Sequence, residues 1–193
     1  MHKTVLLENP TMFLATLLIV GIFFVTLTVT DAYAAFDAFL KMEGVDGEST
    51  DSKHKGEIEI MSFSFGATQT GTSGAGGGGG AGKVSMQDFH FTMKVNKASP
   101  KLFLACASGE HIKSATLIMR PAGKSQQEYL TYKFSDLLIS SYQIHGSPDS
   151  AVPMEEVSLN FAKIEIEYKP LQKDGTLGSP VKTGWDVKAN KKV

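Results

Sequence analysis

Apolar and polar residues alternate over much of this chain, and the alternation predicts its elements. Within residues 82–109, Phe89, Phe91, Met93 and Val95 take every second position, with Asp88, His90, Thr92 and Lys94 between them. That period of two is the mark of a strand with one buried face. Ser99 and Pro100 follow, a hydroxyl placed to take an orphan amide at the N-cap and a proline that has no amide to orphan at the first helical position. Leu102, Phe103, Cys106 and Ala107 recur at three- and four-residue spacing, and Gly109 stands where a left-handed C-terminal cap favours a residue without Cβ. The stretch therefore predicts a strand running into a helix of about two to three turns that docks on a sheet.

The rest of the chain is read the same way. Residues 36–42 form a short strand candidate, and residues 57–65 form another in which the inward face changes from Ile58 and Ile60 to Met61, Phe63 and Phe65. A bulge or a sharp bend produces such a change of phase. Residues 66–82 hold a glycine run at 76–80 that lacks the Lys-Ser/Thr end of a phosphate loop and reads as a mobile hairpin connection. Strands follow at 112–119, with Ala115, Leu117 and Met119 in phase, at 128–134 and at 137–144. Val157, Leu159 and Phe161 alternate in one register, whereas Ile164, Ile166 and Tyr168 alternate in the other. Residues 184–188 make a last short strand before a basic tail read as solvated. About eight short strands around one helix predict a mainly β domain, a compact antiparallel β-barrel with one short flanking α-helix. The phase changes favour the barrel over a sandwich.

Residues 12–29 are almost unbroken hydrocarbon, and no charge occurs between Glu8 and Asp31. They predict an N-terminal hydrophobic leader helix over residues 1–34, ahead of a domain at 35–193. Ala32 and Ala34 place small residues where a signal peptidase inspects the chain, so cleavage is expected after Ala34. A membrane anchor, and a start assigned too far upstream, are the other two readings.

The chain has 193 residues and a net charge of −1, which is the leader's own balance of Lys3 against Glu8 and Asp31, so the remaining domain is neutral. Neutrality gives no pull toward nucleic acid or an acidic membrane surface. The single cysteine, Cys106, excludes an internal disulfide and reads as a small core residue. His2, His54, His90, His111 and His145 fall in separate elements with no ligand spacing, so neither metal nor cofactor is expected. Glu155, Glu156, Glu165 and Glu167 are read on outward strand positions, and no nucleophile elbow or acid–base pair stands out. The chemistry therefore predicts a protein that is not an enzyme. Residues 43–56 form a polar, glycine-bounded, exposed loop whose acidic residues lack the alternating ligands of a calcium loop.

Four segments, FLKMEGVDGESTDSKHKGEIEIMSFSFG, GKVSMQDFHFTMKVNKASPKLFLACASGEHIKSATL, VSLNFAKIEIEYKPLQKDGTLG and GWDVKANKKV, resemble the haemolysin-coregulated proteins, Hcp, of the type VI secretion system. The likeness spans residues 35–193 in the family's order. It implies a tight antiparallel barrel assembling into homohexameric rings, stacked into a hollow tube with effectors in its lumen, a contractile sheath outside and a spike protein at the tip. It implies secretion from the cell and no catalytic residues. The loop at 43–56 corresponds to the family's extended loop for contacts between subunits or rings, which makes Asp46, Glu48, Asp51, Lys53 and His54 candidates for polar contacts. The leader departs from the family pattern, whose members assemble in the cytoplasm. A different class of function, an exported monomeric or small-oligomer barrel acting as a binding module, would show a deep pocket in one subunit instead of a wide shared lumen.

Overall fold

The structure is a computed structural model and describes residues 36–71, 81–123 and 126–193. The expected leader helix and the glycine run at 76–80 lie outside the described residues. Among the described residues the elements are β1 (Phe36–Met42), β2 (Ile58–Ile60), β3 (Ser62–Ser64), β4 (Ala67–Gly71), β5 (Ala81–Met86), β6 (Phe89–Lys94), α1 (Ser99–Ser108), β7 (Ile112–Pro121), β8 (Leu130–His145), β9 (Met154–Tyr168), β10 (Val181–Asp186) and β11 (Lys191–Lys192). Eleven strands replace the eight expected among these residues, because a bend splits one strand into β2 and β3, two expected strands join as β8, and β4, β5 and β11 are added. Among the described residues the fold is mainly β with one helix, and every strand pairing is antiparallel.

The main sheet runs β11-β10-β9-β8-β7-β1-β2, and β6 joins it by pairing with both β9 and β3. Both expected changes of phase mark places where a strand exchanges neighbours. β2 pairs with β1 through Ile58 and Ile60, whereas β3 pairs with β6 through Phe63, and Met61 between them points outward, 54% exposed. Met61 was read as inward; its position is the bend itself. β9 pairs with β6 up to Leu159 and with β10 from Lys163 onward, so its buried residues pass from Val157, Leu159 and Phe161 to Ile164. The strands expected at 128–134 and 137–144 are one element. β8 is continuous, but Asp136 adopts φ 49° and drops out of the ladder between Ser135 and Leu137. The buried set in β8 shifts there from Phe134 to Leu137 and Ile139 with no change of register against β9, and the extra residue of a bulge comes later, between Ile139 and Ser141.

The core is aromatic at its centre. Phe89 lies 4.9 Å from Phe134 and 5.7 Å from Phe63, and Phe134 lies 5.1 Å from Phe161, ring centre to ring centre. Each fully buried ring contributes about 2 kcal/mol of transfer free energy. The alternation of β6 holds, with Phe89, Phe91 and Met93 all buried.

α1 begins one residue earlier in its cap than expected. Ala98 is the N-cap, Ser99 is the first helical residue, and Gly109 closes the helix at φ 67°. Ser99 is withdrawn from capping because its hydroxyl is used elsewhere, as described below. The helix packs on β8 through Leu102 and Ala105, and Cys106 lies half-buried against the core. Phe103 and Ala107, read as part of the apolar stripe, face outward, although the Phe103 ring meets Tyr142 edge-on at 5.7 Å. The basic tail is not simply solvated: Lys191 and Lys192 pair with Asp186 and Trp185, and Lys188 is ion-paired with Asp136. Among the described residues no helix is long and apolar enough to cross a membrane.

Candidate functional site

β1 and β7 send Ala38, Leu40 and Met42, and Ala115, Leu117 and Met119, into the core. Alternation then puts Phe39 and Arg120 on the other side of the same two strands, where solvent is expected. Both are nevertheless buried, at 4% and 5% exposure. Residues 43–56 cover them, with Val45, Ser49 and His54 packed inward. The loop read as exposed is therefore a lid over a second, smaller core. Backbone hydrogen bonds fix its base: Gly47 N–H to Gly56 O at 2.8 Å, Gly56 N–H to Ser49 O at 2.8 Å and Ser49 N–H to Glu57 O at 3.0 Å. A Cβ on Gly47 would stand 2.2 Å from the Glu57 carbonyl oxygen, so only glycine allows this approach.

Arg120 is the electrostatic anchor of the lid. It faces Asp37 directly across the β1–β7 ladder and donates from Nε to Asp37 Oδ2 at 3.1 Å and from Nη2 to Asp51 Oδ2 at 2.5 Å. Its guanidinium carbon lies 4.9 Å from the centre of the Phe39 ring, a cation–π contact in a largely dry setting. Burying a cation costs several kcal/mol unless it is paired, and here two carboxylates and a ring face compensate it. The Arg120 hydrogen bond, with the Lys53 amide second, holds the Asp51 carboxyl down at about 2. Asp51 Oδ1 also accepts from the Lys53 and His54 amides at 2.9 and 3.2 Å, so this one side chain both shapes the turn and pins it. The His54 ring stacks on Phe39 at 4.4 Å between centres, and its Nδ1 meets Glu57 Oε2 at 3.0 Å.

The five residues singled out from the sequence thus divide in two. Asp51, Lys53 and His54 come together in a single turn, but Asp51 and His54 face the body of the protein. Lys53 lies at the surface, reaching the Gln126 carbonyl with Nζ at 3.1 Å. Asp46 and Glu48 are exposed on the lid's outer side, and Glu48 Oε1 accepts the Lys97 amide at 3.0 Å, tying the lid to the approach to α1. Arg120 falls just past the strand expected at 112–119, yet one signal could have found it. It is the charged neighbour of an in-phase apolar run on a strand whose outer face a loop must cover.

A second polar cluster joins α1, β8 and β9. Glu155, read as outward, is 1% exposed and accepts from Tyr142 Oη at 2.5 Å and from Ser99 Oγ at 2.8 Å. Its position in phase with Val157 and Leu159 was the available signal. Burial, then the Glu155 hydrogen bond, pushes the Tyr142 phenol up to about 12. His90 and Ser158 are direct cross-strand partners, with Nδ1 and Oγ 2.7 Å apart, and Ser141 Oγ lies 2.6 Å from Ser158 Oγ. Among the described residues no group of three or more His, Cys, Asp or Glu is placed to hold a metal.

Comparison with known proteins gives one consistent answer. The family model described as "Type VI secretion system effector, Hcp" matches residues 39–168. Protein hcp1 of Pseudomonas aeruginosa is 48% identical over 158 residues, which cover 81% of this chain and 98% of the relative. The crystal structure of Hcp1 from Salmonella typhimurium is 38% identical with a TM-score of 0.67, covering 82% of this chain and all of that one. A structure described as a type six secretion system protein reaches a TM-score of 0.78 at 33% identity, with the same coverage.

Proposed function

The chain belongs to the Hcp family of type VI secretion proteins, and from that premise we propose that it is a tube subunit. Six copies close a ring, rings stack into a hollow tube, and the tube carries effectors out of the cell inside a contractile sheath and behind a spike protein. In this reading the barrel closes through the bend at Met61, where β2 and β3 hand the ladder from β1 to β6. The observation that carries the reading is the family match over residues 39–168, which includes the lid at 43–56 as well as the sheet beneath it. The lid supplies the contact surface: Asp46, Glu48 and Lys53 stand on its outside, and Asp51 and His54 brace it from within. No cofactor, metal, nucleic acid or catalytic step enters this function.

As a separate proposal, which departs from the family's assembly in the cytoplasm, residues 1–34 are a signal-like leader removed after Ala34 and residues 35–193 are the working domain. Negative-stain microscopy and sedimentation of the purified protein test the assembly. Ring-shaped particles of six copies are expected, whereas a single species of monomer mass at high concentration overturns the proposal. N-terminal sequencing of the protein recovered outside cells tests the leader. A first residue at Ala35 supports removal, and a first residue at Met1 overturns it.

A further inference from the structure

The lid carries one buried ring that faces two carboxylates. His54 is 2% exposed and lies flat on Phe39, and its Nδ1 stands 3.0 Å from Glu57 Oε2. The other ring nitrogen, Nε2, is buried without a hydrogen-bond partner, and Glu128 Oε1 lies 3.7 Å from it, beyond hydrogen-bond reach. Glu128 belongs to the connection between β7 and β8, and the Gln126 carbonyl of the same connection accepts Lys53 Nζ at 3.1 Å. The turn at 51–54 is thus held to a neighbouring loop by one contact that is made and one that is not.

A neutral imidazole has one N–H, so in either tautomer one ring nitrogen turns a lone pair toward a carboxylate. A second proton makes both nitrogens donors, and each then has a charged acceptor to serve. Histidine is the side chain whose charge ordinarily changes between about pH 5 and 8. We propose that His54 is a proton-operated latch, which when protonated bridges Glu57 and Glu128 and holds the lid to the β7–β8 connection, and which releases Glu128 when that proton leaves. Its charged neighbours favour the closed form. Glu57 of the lid and Glu128 of the connection attract the cation. Arg120 of β7 rests on the same Phe39 ring and opposes it, but that charge is already countered by Asp37 of β1 and Asp51 of the lid. Lys53 and Lys55, on either side of His54 in sequence, are exposed. The latch goes beyond the tube reading and does not depend on it, because it acts within one chain.

Hydrogen exchange of the full chain reads the lid directly, followed by mass spectrometry at about pH 5.5 and pH 8 and corrected for the intrinsic rate at each. Sedimentation at both pH values keeps the comparison to one state of assembly. Peptides covering residues 47–57 should open about tenfold more often at the higher pH, the scale of one lost hydrogen bond between charged groups. Peptides from β6, whose Phe89, Phe91 and Met93 are buried, should not change. His54→Gln, which cannot take up the second proton, should make lid opening equal at the two pH values. Glu128→Gln should do the same from a partly exposed position, because the charged acceptor is gone. Equal protection of the lid at both pH values in the unaltered chain, or more opening at the lower one, overturns the proposal. So does a pH effect on the lid that persists in Glu128→Gln.

Discussion

Arg120 illustrates how one residue can hold a surface in place. Its side chain is 5% exposed and ties the edge of β1, through Asp37, to the middle of the lid, through Asp51. Removing one partner of a buried ion pair leaves the others without compensation, so Arg120→Met should destabilise the domain by about 3 kcal/mol, read from chemical denaturation. Arg120→Lys should recover only part of that loss, because an ammonium cannot donate to two carboxylates from one plane while resting on the Phe39 ring. Asp51 adds a pH dependence whose sign is fixed. Its carboxyl sits at about 2 in the folded protein against 3.8 when free. Since the folded value is the lower one, its contribution is complete above about pH 4 and is lost as pH falls through about 2. Unfolding measured between pH 5 and 2 should show a slope that Asp51→Asn flattens. The aspartate was visible in the sequence as a loop residue, but its partner was not. The pairing spans from one loop to a strand 69 residues away, and only the fold brings the two together.

At the scale of elements the sequence is most legible where it breaks its own rule. The change of phase near Met61 and the one between Phe161 and Ile164 both fall where a strand passes from one neighbour to another. A pattern of inward positions records which face is covered, so it must change when the covering neighbour changes. What the pattern could not show was competition for a hydroxyl. Ser99 and Pro100 form a good helix start by local rules, yet the Ser99 oxygen accepts the Asn96 amide at 3.0 Å and donates to Glu155 at 2.8 Å. The buried carboxyl of β9 outranks the orphan amide of the helix, because a buried polar group left unpaired costs more than an uncapped turn at the surface. Ser99→Ala should therefore cost about 1–3 kcal/mol, more than a surface cap would, while the helix content read by circular dichroism stays unchanged. A loss of helix signal with little change in stability would return Ser99 to a capping role.

The whole molecule presents a lid that is rigid underneath and charged on top, and the two properties can be separated by experiment. Asp46 and Gly47 are neighbours in sequence but have opposite duties: Asp46 is exposed, whereas Gly47 lies against the Glu57 backbone. Gly47→Ala must push the lid off its seat, since its new carbon would collide with a carbonyl oxygen that cannot move freely. It should lower stability by about 2 kcal/mol or more and weaken assembly as a consequence. Asp46→Lys leaves the seat intact, so stability should change by no more than about 0.5 kcal/mol. In the proposed tube its effect would fall on contacts between copies. Residues 35–193 carry no net charge, so copies of them do not repel one another at long range, and charges on the lid act mainly within about 10 Å at moderate salt. Reversing one of them should reduce particle size at low ionic strength and much less at high salt, as measured by sedimentation at the two conditions. An unchanged size distribution for Asp46→Lys at low salt, beside a collapsed one for Gly47→Ala, would mean that the lid supports the sheet beneath it without touching a neighbour.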